Sequence, residues 1–182
     1  MNYLKNAVDH FKTITEHKIK VAEGCFKVGL YKQGILHDLS KYQPSEFLVG
    51  VKYYQGDRSP NNAEREKRGY SSAWLHHKGR NKHHFEYWID YSSECIPGGV
   101  MPVKMPTRYL VEMFMDRVAA SKVYKGKDYK DSDPYEYFLI GKGRLMHPKT
   151  RRQLYVLLKM LAEKGEDETF AYIRKRVLKK KR

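Results

Sequence analysis

YLKNAVDHFKTITEHKIKVA, residues 3–22, is the stretch whose reading decides the fold. Apolar residues return every three or four positions, charged residues fill the gaps, and neither Gly nor Pro interrupts the run. That is the period of an amphipathic helix, not the alternation of a strand. Leu4, Phe11, Ile14 and Val21 are assigned to one side of it. His17 stands three residues after Ile14 and four before Val21, so the same period turns an imidazole toward the interior.

The helical period continues outward from this segment. A second helical stretch covers about residues 25–41, interrupted by Gly34, and Pro44 starts a third that runs through Phe47, Leu48 and Val51 to a turn at Gln55-Gly56-Asp57. Residues 62–78 predict a charged, then aromatic helix ending near Gly79, with a short one at 82–92. CIPGGVMPVKMP, residues 95–106, holds three prolines and two adjacent glycines and reads as a loop with room for a small hairpin. Residues 107–125 predict a helix that Gly126 stops. Asp133-Pro134 opens a short helix to about 141, His147-Pro148 another to 164, and a last one begins at about 166. The expectation is an all-α fold: a helical bundle over residues 1–126, C-terminal helices over 127–173 packed on it, and a basic tail at 174–182.

A chain of 182 residues can bury one real core. Its 36 Lys and Arg against 21 Asp and Glu leave a formal charge of +15, a field that attracts phosphate-bearing partners, either a small molecule or nucleic acid. Cys25 and Cys95 lie far apart without metal-type spacing. The N-terminus is charged throughout, and no segment approaches the roughly 18 consecutive apolar residues of a membrane span, so a cytoplasmic protein without a membrane partner is expected.

The eight histidines are unevenly spread. His37-Asp38 lies in GILHDLSKY, and four more crowd into WLHHKGRNKHHFEYW, residues 74–88, as His76-His77 and His83-His84. Asp116 follows Met113 and precedes Ala119 and Ala120 on an apolar helix face, while Ile35, Leu36 and Leu39 bracket the His-Asp pair. Taken singly, each histidine reads more simply as a hydrogen-bonded core or surface residue, and Asp116-Arg117 as an ordinary salt bridge. Taken together, two inward carboxylates among inward histidines would be costly unless a cation sits among them. Imidazole with carboxylate suits a divalent transition metal: manganese, iron, cobalt, nickel or zinc. The spacing of His77 to Trp74 and of His84 to Trp88 favours those two over His76 and His83 as inward residues, and Glu86 is a candidate to orient a ligand from behind.

The order His17, His37-Asp38, Asp116, each on an expected helix, resembles the HD-domain superfamily of metal-dependent phosphohydrolases, and more narrowly a small bacterial and phage branch of it. ILHDLSKY is similar to the family's His-Asp helix with its trailing Lys, here Lys41, and MDRVAASKVY to its distal-Asp helix. The resemblance covers about residues 10–125. It implies one or two divalent metals held by His17, His37, Asp38, His77, His84 and Asp116, with Asp38 bridging, and a metal-activated water that attacks a nucleotide or other phosphate ester. Asp38 and Lys41 are then the catalytic candidates. Lys41, Arg80, Asn81 and Lys82 are the candidates for the substrate phosphate. Two rivals are an HD-type iron oxygenase and a non-enzymatic nucleic-acid-binding protein. The second rests on the charge and on the tail RKRVLKKKR, in which seven of nine residues are basic.

Overall fold

Helix α1 (Tyr3–Lys27) is started by Asn2, whose side chain accepts the amide of Lys5 at 3.1 Å. The computed structural model describes residues 2–94, 98–141 and 145–179. The buried face of α1 carries His10, Ile14, His17, Val21, Gly24 and Cys25. Leu4 and Phe11 are not on it: they are 78% and 50% exposed. At about 100° per residue they fall some 60° or more around the helix from Ile14, so the interior face is centred on the histidines instead.

Against α1 lie α2 (Tyr31–Leu36), α3 (Pro44–Lys52) and α6 (Thr107–Lys125). Two glycines permit the close approaches. A Cβ on Gly24 would come 2.8 Å from Sδ of Met115 on α6, and one on Gly50 of α3 would come 2.1 Å from Nε2 of His10. The core runs from Val21 and Cys25 through Leu110, Phe114 and Val118 of α6 to Leu154, Leu158 and Leu161 of α8 (Pro148–Tyr172). Phe138 of α7 (Asp133–Leu139) joins the same cluster. Helix α8 bends at Gly165, whose φ of 76° and ψ of 179° are non-helical, where the sequence reading starts a new helix.

Three local expectations are corrected. His37 and Asp38 stand not within a helix but at the break between α2 and a 3-10 turn (Leu39–Tyr42), and Asp38 is the one non-glycine residue with positive φ, 54°, among the described residues. Residues 62–78 form two helices, α4 (Pro60–Arg68) and α5 (Ser72–Lys78), because Gly69 ends the first in the left-handed region at φ 78°. Ser71 then caps α5 by accepting the amide of Trp74. The fully buried Glu64 accepts hydrogen bonds from Ser71 Oγ at 2.6 Å and Ser72 Oγ at 2.7 Å and pairs with Arg68 at 3.0 Å, so α4 holds the start of α5. Residues 82–92 hold a 3-10 turn (Phe85–Trp88) followed by β1 (Ile89–Tyr91), which pairs antiparallel with β2 (Val100–Pro102), Ile89 opposite Pro102. The hairpin thus begins upstream of the proline-rich segment; residues 95–97 lie outside the described residues. With eight α-helices and one two-stranded hairpin among those described, the fold is all-α in all but this detail.

Candidate metal centre

Four elements converge on Asp38. From α1, the Nε2 of His17 reaches Asp116 Oδ1 at 3.0 Å and Asp38 Oδ2 at 3.7 Å. From the α2 break, the Nε2 of His37 lies 3.4 Å from Asp38 Oδ2 and 3.6 Å from Asp116 Oδ1. The other oxygen, Asp38 Oδ1, faces His77 Nε2 and His83 Nε2, each at 3.3 Å, and His77 Nε2 is 2.9 Å from His84 Nε2. The described residues therefore offer two ligand groups that share Asp38: His17, His37, Asp38 and Asp116, and Asp38, His77, His83 and His84, with the ligand atoms of each group within 4.8 Å of one another.

The hydrogen bonding shows which atoms are free to bind. Nε2 of His17, His37 and His83 and Oδ1 of Asp38 are buried without a hydrogen-bond partner, and Asp38 Oδ2 is met by the Lys41 ammonium. Orphaned polar atoms of this kind are expensive singly, and here four of them gather around one carboxylate. The opposite ring nitrogens of His37, His83 and His77 are satisfied. His37 Nδ1 and His83 Nδ1 lie 3.0 and 3.2 Å from Glu112 Oε1, and His77 Nδ1 lies 2.7 Å from Glu46 Oε2. An ionised carboxylate only accepts, so these Nδ1 atoms carry protons and the Nε2 atoms are the ones turned inward, the arrangement found behind metal-binding imidazoles. His37, His83 and Glu112 could themselves gather a cation. Because Glu112 meets the Nδ1 side of both rings, it serves better as their common acceptor.

The carboxylates overcome burial and raise His37 well above, and His77 above, the ordinary imidazole value, so a cation bound here would take the place of protons on their Nε2 atoms. Burial pushes the Asp38 carboxyl up, but His37, Lys41 and His77 outweigh it and hold it well below the usual carboxylate range. Burial likewise pushes Asp116 up, and the neighbouring His17 and His37 bring it well below. Burial, and then the neighbouring His83 and His77, keep His84 well below the ordinary imidazole value, so it is neutral and able to donate its lone pair to a cation. Lys41, its side chain 27% exposed, contacts Asp38 Oδ2 through Nζ at 2.6 Å at the edge of the group.

His17, His37, Asp38, Lys41, His77, His84 and Asp116 are thus brought together, and Asn81 stands against His77. Asn81 is tied into the framework: its amide donates to Ser40 Oγ and to the carbonyl of His77, both at 2.8 Å, so it positions a histidine. Arg80 and Lys82 are exposed, the first bonded to the carbonyl of His76 and the second 5.7 Å from the Tyr87 ring. Among the described residues Glu86 makes no ion pair with a histidine; burial pushes its carboxyl up and its Oε2 has no hydrogen-bond partner there. Sequence reasoning missed His83, Glu46 and Glu112. Choosing between His83 and His84 presumed a helix, in which neighbours diverge by about 100°. The chain from Asn81 to His84 is instead a turn, and both rings face inward, 4.1 Å apart. Glu112 did leave a signal, standing one helical turn before Asp116 on α6. Glu46, in the first turn of α3, left none.

A helical protein with buried His, Asp and Glu groups able to hold metal is what the fold and the site define. The chain belongs to a family of unknown function, DUF5662, whose family model matches residues 6–160. No curated protein and no solved structure matches it.

Proposed function

We propose that the protein is a metal-dependent phosphohydrolase of the HD-domain type, a phosphomonoesterase or phosphodiesterase acting on a nucleotide or another phosphate ester. The observation that carries this reading is the division of one carboxylate between two histidine groups, Oδ2 of Asp38 toward His17 and His37 and Oδ1 toward His77 and His83. His17, His37, Asp38 and Asp116 would hold one divalent ion, and Asp38, His77, His83 and His84 a second. Such ions lower the pKa of bound water toward neutrality and neutralise charge on a phosphoryl group. Lys41 is the cation at hand for the substrate phosphate, and the positive field of a +15 chain draws that substrate in. Glu46 and Glu112 keep the imidazoles in the tautomer that binds.

The test is metal content followed by turnover. Protein purified without chelator and loaded with manganese, iron, cobalt, nickel or zinc should hold up to two ions per chain by elemental analysis and release phosphate from some member of a phosphate-ester panel. Asp38→Ala should lose both ions. A wild-type chain that takes up no metal ends the proposal. Metal uptake with oxygen consumption and no phosphate release would move it to iron oxygenase chemistry.

A further inference from the structure

Helix α1 carries a second apolar stripe on the side away from the metal centre. Leu4, Val8, Phe11, Ile19 and Phe26 are all exposed, from 41% at Phe26 to 78% at Leu4. At about 100° per residue they fall within an arc of roughly 80°. Helix α2 lies alongside, because Lys18 Nζ donates to the carbonyl of Ile35 and a Cβ on Gly34 would come 2.8 Å from the Phe26 ring. It adds the exposed Ile35 and Leu36, and Leu39 follows. Counting about 200 Å² for each fully exposed side chain of this size, the face presents on the order of 800 Å². That is larger than the apolar patch a monomer ordinarily leaves in water, and about what each partner contributes to a standard protein interface.

We propose that this face is the docking surface for a second copy of the chain, with the two α1 helices packed antiparallel about a two-fold axis near Ile14. The charges along one edge of the stripe argue for that partner and that direction. Lys5 and Lys12 stand on this edge in the N-terminal half of α1, and Glu16 and Glu23 on the same edge in the C-terminal half, all exposed. Among the described residues Lys5, Lys12 and Glu23 have no side-chain ion pair, and Glu16 has only its exposed neighbour Lys20 at 3.4 Å. A two-fold axis perpendicular to a pair of antiparallel helices keeps each edge against the same edge of its mate. Centred near Ile14, it sets Lys5 against Glu23 of the partner subunit and Lys12 against Glu16 of the partner subunit. The same register interleaves Leu4, Val8 and Phe11 with the end of the other helix that carries Ile19 and Phe26. A parallel pair, whose two-fold axis runs along the helices, would set this edge against the opposite edge of its mate and leave the four charges without these partners. Self-complementarity of this kind is what an isologous interface requires.

Sedimentation of the full-length chain at micromolar concentration should give a mass twice the 21.6 kDa of one chain. Phe11→Asp should return it to a monomer with an unchanged circular-dichroism spectrum. Lys12→Glu should weaken dimerisation about tenfold, and adding Glu16→Lys should restore it by reversing both members of each pair. A monomeric wild type, a dimer indifferent to Phe11→Asp, or a double variant no stronger than the single one would overturn the proposal. So would a monomer that binds phosphatidylserine vesicles through this face, which would assign it to a membrane surface.

Discussion

The two ligand groups around Asp38 are mounted differently. His17 and Asp116 stand mid-way along α1 and α6, helices of 25 and 19 residues, packed so closely that Gly24 touches Met115. His77, His83 and His84 stand on the seven-residue α5 and the turn that follows it, a segment that periodicity alone cannot stabilise. The second group is instead braced from outside. Glu64 grips the start of α5, Glu46 fixes His77 and also His76 at 2.6 Å, and Asn81 ties the turn back to Ser40 and His77. One half of the site is thus held by helix packing and the other by buried carboxylates. Glu112 belongs to both, since its Oε1 serves His37 of the first group and His83 of the second.

That contrast can be broken by substitution. Glu112→Ala should have the largest effect, lowering metal affinity about 10- to 100-fold at both positions, whereas Glu46→Ala should do so at the second alone and leave one tightly held equivalent. Titration with a metal indicator distinguishes one weakened equivalent from two, and a Glu46 variant that loses both would show that the halves are not separable. Next, His83→Ala should remove one equivalent while His76→Ala leaves the stoichiometry unchanged, because His76 bonds Glu46 and Ser45 and faces no other ligand. Equal losses from the two variants would contradict the assignment. The smallest expected effect concerns the packed side. Cys25 is fully buried, and burial, with Glu112 and Asp116, pushes its thiol up to about 12, so the thiolate is scarce at every pH below that value. Peptide mapping should find Cys25 unalkylated in folded protein at mildly alkaline pH and alkylated in denaturant. Ready labelling of the native chain would show that the α1–α6 contact opens.

The same division explains what could be read early. His17 and Asp116 announce themselves through the apolar residues three and four positions away, because a long helix converts sequence spacing directly into direction. Leu4 and Phe11 share that spacing, yet they face outward: periodicity identifies a stripe without saying which of two stripes is covered, or by what. Asp38 is a different case. Its place beside a histidine is visible, but its left-handed backbone and the sharing of its two oxygens are not. A strained conformation persists only where surrounding contacts over-determine it, and those contacts come from four separate elements.

The sequence by itself determined an all-α chain, a formal charge of +15, and the residue types gathered at a candidate metal site. Each of these follows from local period or from composition, which need no knowledge of distant neighbours. Tertiary structure decided that His83 joins His77 and His84, that Glu46 and Glu112 orient the rings, and that Asn81 braces His77 while Arg80 and Lys82 are exposed. Those outcomes depend on turns and on contacts between residues 30 to 75 positions apart, where direction is set by packing and no longer by spacing along the chain.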